Sequence, residues 1–205
     1  KYKFGLDNRK FYIDKGRSLI NPSLVSIKNF SSTLANLLYE LGQKKYKDFL
    51  EVLITMRQSG IADSRVDDLI HIGYFEDFGN MKYLLNYHKV FSEFYSNKKL
   101  KTQLKKDKAL ELHIDFDLIR NHCKSEAPKT FMGIDSPAII RELVETYREK
   151  TSFKEMIEAR KEVLGYIDII DKKYAGYCVC TDLNVEYSPK VKLYALANGT
   201  TIPVK

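Results

Sequence analysis

The 205-residue chain is 44% hydrophobic and 30% charged, an ordinary globular balance with enough apolar material for a core in one or two domains. Its 34 Lys and Arg against 27 Asp and Glu leave a net charge of +7, a mild bias toward polyanions. No apolar run approaches the roughly 18 residues of a membrane span, no signal peptide is visible, and three cysteines (Cys123, Cys178, Cys180) are too few and too uneven for a disulfide framework, which points to the reducing cytoplasm.

Lys10 to Asp14 and Arg17 to Ile20 are β-prone and predict a small hairpin around Lys15-Gly16. Ser31 or Ser32 caps a helix carrying Leu34, Leu37, Leu38 and Leu41, stopped by Gly42. Tyr46 to Arg57 predicts a second helix with Phe49, Leu50, Leu53 and Ile54 inward. Ser64 caps a short third helix that Gly73 ends. Asn80 caps a fourth, with Met81, Leu84, Leu85, His88, Phe91 and Tyr95 at helical spacing. The lysine-rich stretch from Ser96 to Lys108 and the weakly patterned residues up to Met132 read as an inter-domain connection. Asp135-Ser136-Pro137 opens another helix, and Ser152 with Glu155 forms a capping box for the last, which Gly165 stops. From Tyr174 the period changes to two: Cys178 and Cys180 share one strand face, Val191, Leu193 and Ala195 another, and Asn198-Gly199 signals a type I′ turn. These strands predict a three-stranded meander with an open edge. The opening Lys1 and the closing Ile202-Pro203-Val204-Lys205, on what reads as a strand, suggest cut points in a longer protein.

Two stretches carry a family likeness. Ile27-Lys28-Asn29-Phe30-Ser31 leading into Leu34-Ala35, and Leu69-Ile70-His71-Ile72-Gly73 through Phe78-Gly79, resemble the paired helix-hairpin-helix region of the bacterial DNA polymerase III alpha subunit. Glu162-Val163-Leu164-Gly165-Tyr166-Ile167 resembles the family motif just before its OB fold, and the strands from Tyr174 lie where that fold would begin. The resemblance implies a mainly α fold, tandem helix-hairpin-helix, followed by a small, truncated OB-like β segment: residues 1–110, DNA-binding helices; 111–172, a connection with two helices; 173–205, the start of the OB-like domain. It also implies that the segment is not itself an enzyme, that it needs no cofactor, and that its partners are double-stranded or primed DNA, the remaining polymerase domains and the sliding clamp. No clamp-binding peptide is recognisable between Tyr95 and Thr151; Gln103-Leu104 lacks the expected aromatic.

In a helix-hairpin-helix, a tight turn aims backbone N–H groups at a phosphate, helped by the helix dipole. Such contacts position DNA without reading sequence. The candidate phosphate-binding residues are Lys28, Asn29, Ser31, Gly73, Gly79, Asn80, Lys82 and Lys89. The first turn has Asn29 and Ser31 where the family uses glycines; Asn tolerates positive φ but Ser fits less well, so the second turn, with Gly73 and Gly79, is the better expected seat. The Lys98–Lys108 run reads either as a phosphate-tracking stripe or as a solvated face. Asp115 and Asp117 form an Asp-x-Asp pair of the kind that holds magnesium in polymerases, but no third carboxylate in a strand context accompanies it, and no catalytic residue is assigned. His113, His122, Cys123 and the Cys178-x-Cys180 pair lack zinc-site spacing, and His88 reads as a packed core residue, so no metal ligand is assigned. Two other functions stay open: a scaffold that touches no DNA, and a magnesium-dependent nuclease or polymerase fragment built on Asp115 and Asp117.

Overall fold

The structure, a computed structural model, describes residues 1–16, 19–186 and 190–204. The expected strand start at Arg17 and the closing Lys205 lie outside the described residues. Among these, eight α-helices and four small antiparallel sheets alternate, so the architecture is mixed rather than mainly helical. The chain forms two compact units, Lys1–Ala159 and Arg160–Lys205.

In the first unit the predicted hairpin is present as β1 (Tyr12–Asp14) and β2 (Leu19–Asn21), with Ile13 opposite Ile20. Buried Asn8 pins its base, donating from Nδ2 to the carbonyls of Lys1 (3.0 Å) and Pro22 (2.9 Å), while the Ser23 hydroxyl donates to the Arg9 carbonyl. A single 3₁₀ turn, Leu24–Ser26, leads to α1 (Ser32–Gly42). The second helix, α2 (Phe49–Gln58), begins after the expected Tyr46 because Asp48 caps it, accepting the Glu51 N–H. Helix α3 (Asp63–His71) starts after Ala62 without a side-chain cap, rather than on Ser64. Helix α4 (Met81–Phe94) is capped by Asn80 as expected.

The core of this unit is aromatic, as a chain with 14 Tyr, 11 Phe and no Trp requires. The Phe49 ring lies 5.3 Å from Phe75 and 5.6 Å from Tyr87, both edge-on, and Phe4 joins through Tyr74 and Phe75. Edge-to-face pairs add about 0.5–1.5 kcal/mol each beyond their burial. Helix α4 buries Leu84, Tyr87, His88, Phe91 and Phe94 on one face.

The stretch expected to be a connection is folded. β3 (Tyr95–Ser96) and β4 (Lys99–Leu100) form a hairpin whose central residues, Asn97 (φ 50°) and Lys98 (φ 62°), are both left-handed, as a type I′ turn demands. β5 (Gln103–Lys105) leads into α5 (Lys106–Glu111) and α6 (Phe116–Asn121). β6 (Ser125–Glu126) and β7 (Thr130–Met132) complete a sheet in the order β5-β7-β6, with Leu104 opposite Phe131, both buried. Helix α7 (Ser136–Glu145) packs along α4 through Ile139, Ile140 and Val144, and its Arg141 donates to Asp48 at the α2 cap (2.7 Å). These contacts join residues 95–145 to the helices before them, within the first compact unit.

Helix α8 (Phe153–Leu164) opens with the predicted capping box: the Ser152 N–H donates to Glu155 (2.8 Å) and the Glu155 N–H to the Ser152 hydroxyl (3.2 Å). The second unit begins within this helix and holds β8 (Cys178–Asn184), β9 (Lys190–Ala195) and β10 (Thr201–Val204) as the expected antiparallel meander, β9 central. The Asn198-Gly199 turn differs from the expected type I′. Five residues, Leu196–Thr200, join β9 to β10, and only Gly199 (φ +72°) is left-handed. Among the described residues, Ile167 and Leu196 supply this unit's buried apolar side chains.

Candidate nucleic-acid interface

The first turn is open. Phe30 N–H donates to the Ile27 carbonyl (3.1 Å), closing a four-residue turn whose ends, Ile27 and Phe30, are buried anchors. Lys28, Asn29 and Ser31 between and beyond them are exposed. Asn29 has φ 65°, so the chain takes the left-handed path that glycine would serve, at a position where Asn can follow. Ser31 adopts extended backbone and caps α1, its Oγ accepting the Leu34 N–H at 3.1 Å; no glycine is needed there. The exposed Ser32 and Thr33 N–H groups have no partner among the described residues, and neither does the Lys28 ammonium. The element before the turn is only a three-residue 3₁₀ turn, so the first hairpin has one true helix, not two.

The second turn, expected to be the better seat, is closed. Gly73 (φ +74°) ends α3 in a left-handed step, with Gly73 N–H donating to Ile70 and Tyr74 N–H to Leu69. Tyr74 and Phe75 are buried, and burial raises the Tyr74 phenol well above its ordinary value. Gly79 is packed against α4: a Cβ there would lie 2.6 Å from the Tyr83 ring. At the α4 amino end Asn80 accepts the Tyr83 N–H (3.2 Å) and a hydrogen bond from the Thr151 hydroxyl (3.0 Å), while the Lys82 N–H donates to Thr151 Oγ1 (3.0 Å). The Lys82 ammonium lies 2.8 Å from Glu155 and 3.4 Å from Glu149. The hydrogen bond from Lys82, with help from Ser152, holds the Glu155 carboxyl down at about 2, and Glu155 in turn raises Lys82. The Lys82 amide and cation that a phosphate would use are already engaged by Thr151 and Glu149, between α7 and α8, and by Glu155 in the first turn of α8.

The remaining candidates divide similarly. Lys89 is exposed on α4 beside a cleft of about 350 Å³ that also presents Glu93 and Glu111, a mixed-charge rim. The lysine run is broken over four elements. Lys101 donates to the Glu93 carbonyl, Lys106 pairs with Glu126, and Lys108 pairs with Glu93 and Glu111; Lys98, Lys99 and Lys105 stay exposed. Asp115 caps α6 through the Asp117 N–H, and Asp117 pairs with Arg120 at 2.7 Å, so both carboxylates serve a helix start, not a strand. His122 bonds Glu142. Among the described residues no group of three His, Cys, Asp or Glu side chains could hold a metal ion, and all three cysteines are free.

One arrangement had no sequence signal beyond helical spacing. His88 is 3% exposed, its Nδ1 2.7 Å from Asp67 and its Nε2 3.2 Å from Asp63, and Arg57 also reaches Asp63 (3.1 Å). This network ties α2, α3 and α4 together, so the expected core reading of His88 extends to a polar core. Searches of family models, of curated proteins and of solved structures return no match to this chain.

Proposed function

We propose that this chain is a non-catalytic segment that grips primer–template DNA by its phosphates without reading sequence, as part of a bacterial replicative DNA polymerase III alpha subunit. In this reading the turns at Ile27–Ser31 and Ile72–Asn80 are its helix-hairpin-helix elements, and the β8–β9–β10 meander opens its OB fold. The observation that carries the DNA role is the open first turn: a left-handed Asn29, an exposed Lys28, and exposed residues at the start of α1 whose amides, like the Lys28 ammonium, have no partner among the described residues. These are the donors and the charge that a phosphate takes at a helix amino end. The grip then rests on the first turn alone, and the second serves packing.

The test is duplex binding by fluorescence anisotropy across salt concentrations. Lys28→Glu is expected to weaken binding severalfold and to reduce the salt slope by about one. Lys82→Glu is expected to lower the melting temperature while leaving affinity within about twofold, because its charge is already used by Glu149 and Glu155. Unchanged affinity in Lys28→Glu, or no duplex binding by the intact chain at low salt, defeats the phosphate role. The second reading, a scaffold that docks other polymerase domains or the sliding clamp, is favoured by the sealed α4 amino end, and absence of DNA binding would promote it.

A further inference from the structure

The β1–β2 hairpin exposes an apolar face that the fold does not use. Ile13 and Ile20 are cross-strand partners and so point to the same side; they are 67% and 66% exposed. Phe11, two residues before Ile13 and 60% exposed, extends that side. On the opposite side Tyr12, 41% exposed, pairs with buried Asn21, so that side meets the body at the base of the hairpin and the Ile13–Ile20 side is left uncovered. A protein surface seldom leaves three large apolar side chains side by side in water without a use.

The charges beside this face point to its occupant. Lys10 and Lys15 flank it along the chain. Lys10 and Lys15 are exposed and, among the described residues, unpaired. An aromatic ring and two aliphatic side chains framed by free cations suit a polyanion that shows bare ring faces. Single-stranded nucleic acid has that chemistry; a duplex hides its ring faces in the stack. The hairpin also springs from the strut that sets the open turn. Strand β2 runs through Pro22 and Ser23, which Asn8 and Arg9 hold, into Leu24 and on to Ile27.

We infer that the β1–β2 hairpin is a stacking surface for single-stranded nucleic acid, with Phe11 under an unpaired base, Ile13 and Ile20 beside it, and Lys10 and Lys15 on the flanking phosphates. This rests on the DNA-binding reading above and adds a second kind of strand to it. The chain lacks Trp, so Phe11→Trp introduces one fluorophore at the surface in question. Titrating that variant with a short oligothymidylate at low salt is expected to quench its emission saturably. Phe11→Ala is expected to weaken oligothymidylate binding roughly tenfold, with duplex affinity and melting temperature unchanged, and Ile13→Ser is expected to weaken it to a smaller degree. No quench, while Lys28→Glu still weakens duplex binding, overturns the stacking surface and leaves the phosphate grip standing. Quenching without any duplex binding does the reverse. A blue shift on dilution-reversible self-association, or on adding anionic vesicles with no response to oligothymidylate, assigns the face to a second copy or a membrane and likewise overturns the inference.

Discussion

Asn29 shows how a residue that departs from a pattern can still meet its geometric demand. The turn needs one residue at positive φ, and Asn pays little for it because its short polar side chain tolerates the left-handed region. Asn29→Ala is therefore expected to destabilise the chain by about 1 kcal/mol, read as a lower urea midpoint, while Asn29→Gly keeps the wild-type value. Equal stability of the two variants would mean that the turn does not depend on this φ. Tyr95 presents the opposite case. Its hydroxyl is buried without a partner among the described residues, and burial pushes the phenol up. A buried, unsatisfied hydroxyl costs about 1–3 kcal/mol, so Tyr95→Phe is expected to leave stability unchanged or raise it by about 1 kcal/mol. A fall in the urea midpoint would reveal a hydrogen bond that stabilises this corner.

At the scale of elements, the closure of α4 by the α7–α8 loop carries a pH signature. Glu155 is held at about 2 against an ordinary glutamate value of 4.5, chiefly by Lys82. A depressed carboxyl stabilises the fold fully above its unfolded value, and that contribution is lost as pH falls through its folded value. The loop is expected to loosen between about pH 4.5 and 2, seen as a drop in melting temperature over that range that is smaller in Glu155→Gln. An identical acid response in both proteins would remove Glu155 from the account. Glu126, also held at about 2, first by Arg120 and then by Lys106, steadies the β5-β7-β6 sheet over the same range.

Which elements were readable follows from distance along the chain. The caps at Ser31, Asn80, Asp135 and Ser152 were legible because each side chain serves an amide three residues on. The strands between Tyr95 and Met132 were not: they are as short as β1 and β2 but lie in a lysine-rich stretch without a glycine turn signal, and Gln103 finds its partner Met132 far downstream. The openness of the two turns followed the same rule. The bend at Lys28, Asn29 and Ser31 is closed by near neighbours in the chain, whereas the engagement of Lys82 by Glu149, 67 residues away, leaves no local trace. Glycines mark where a backbone can bend, but they do not say whether another segment already occupies the bend.

For the whole molecule, the charge of +7 is spread unevenly in effect. Lys82, Lys106, Lys108 and several arginines are neutralised at home, while Lys10, Lys15 and Lys28 have no acidic partner among the described residues. Salt sensitivity of binding should therefore reflect a few contacts and not the formal total. Lys10, Lys15 and Lys28 all belong to the first unit, Lys1–Ala159.

The small meander also bears on how its strand edges are blunted. Among the described residues its two outer strands pair on one side only, and Leu183, Val185, Ile202 and Val204 add greasy surface beside them. Each rim nevertheless carries an interruption: β8 loses register between Cys180 and Asp182, and β10 contains Pro203, which has no N–H to offer. Ribbon-like growth from one molecule to the next is thus obstructed at both rims.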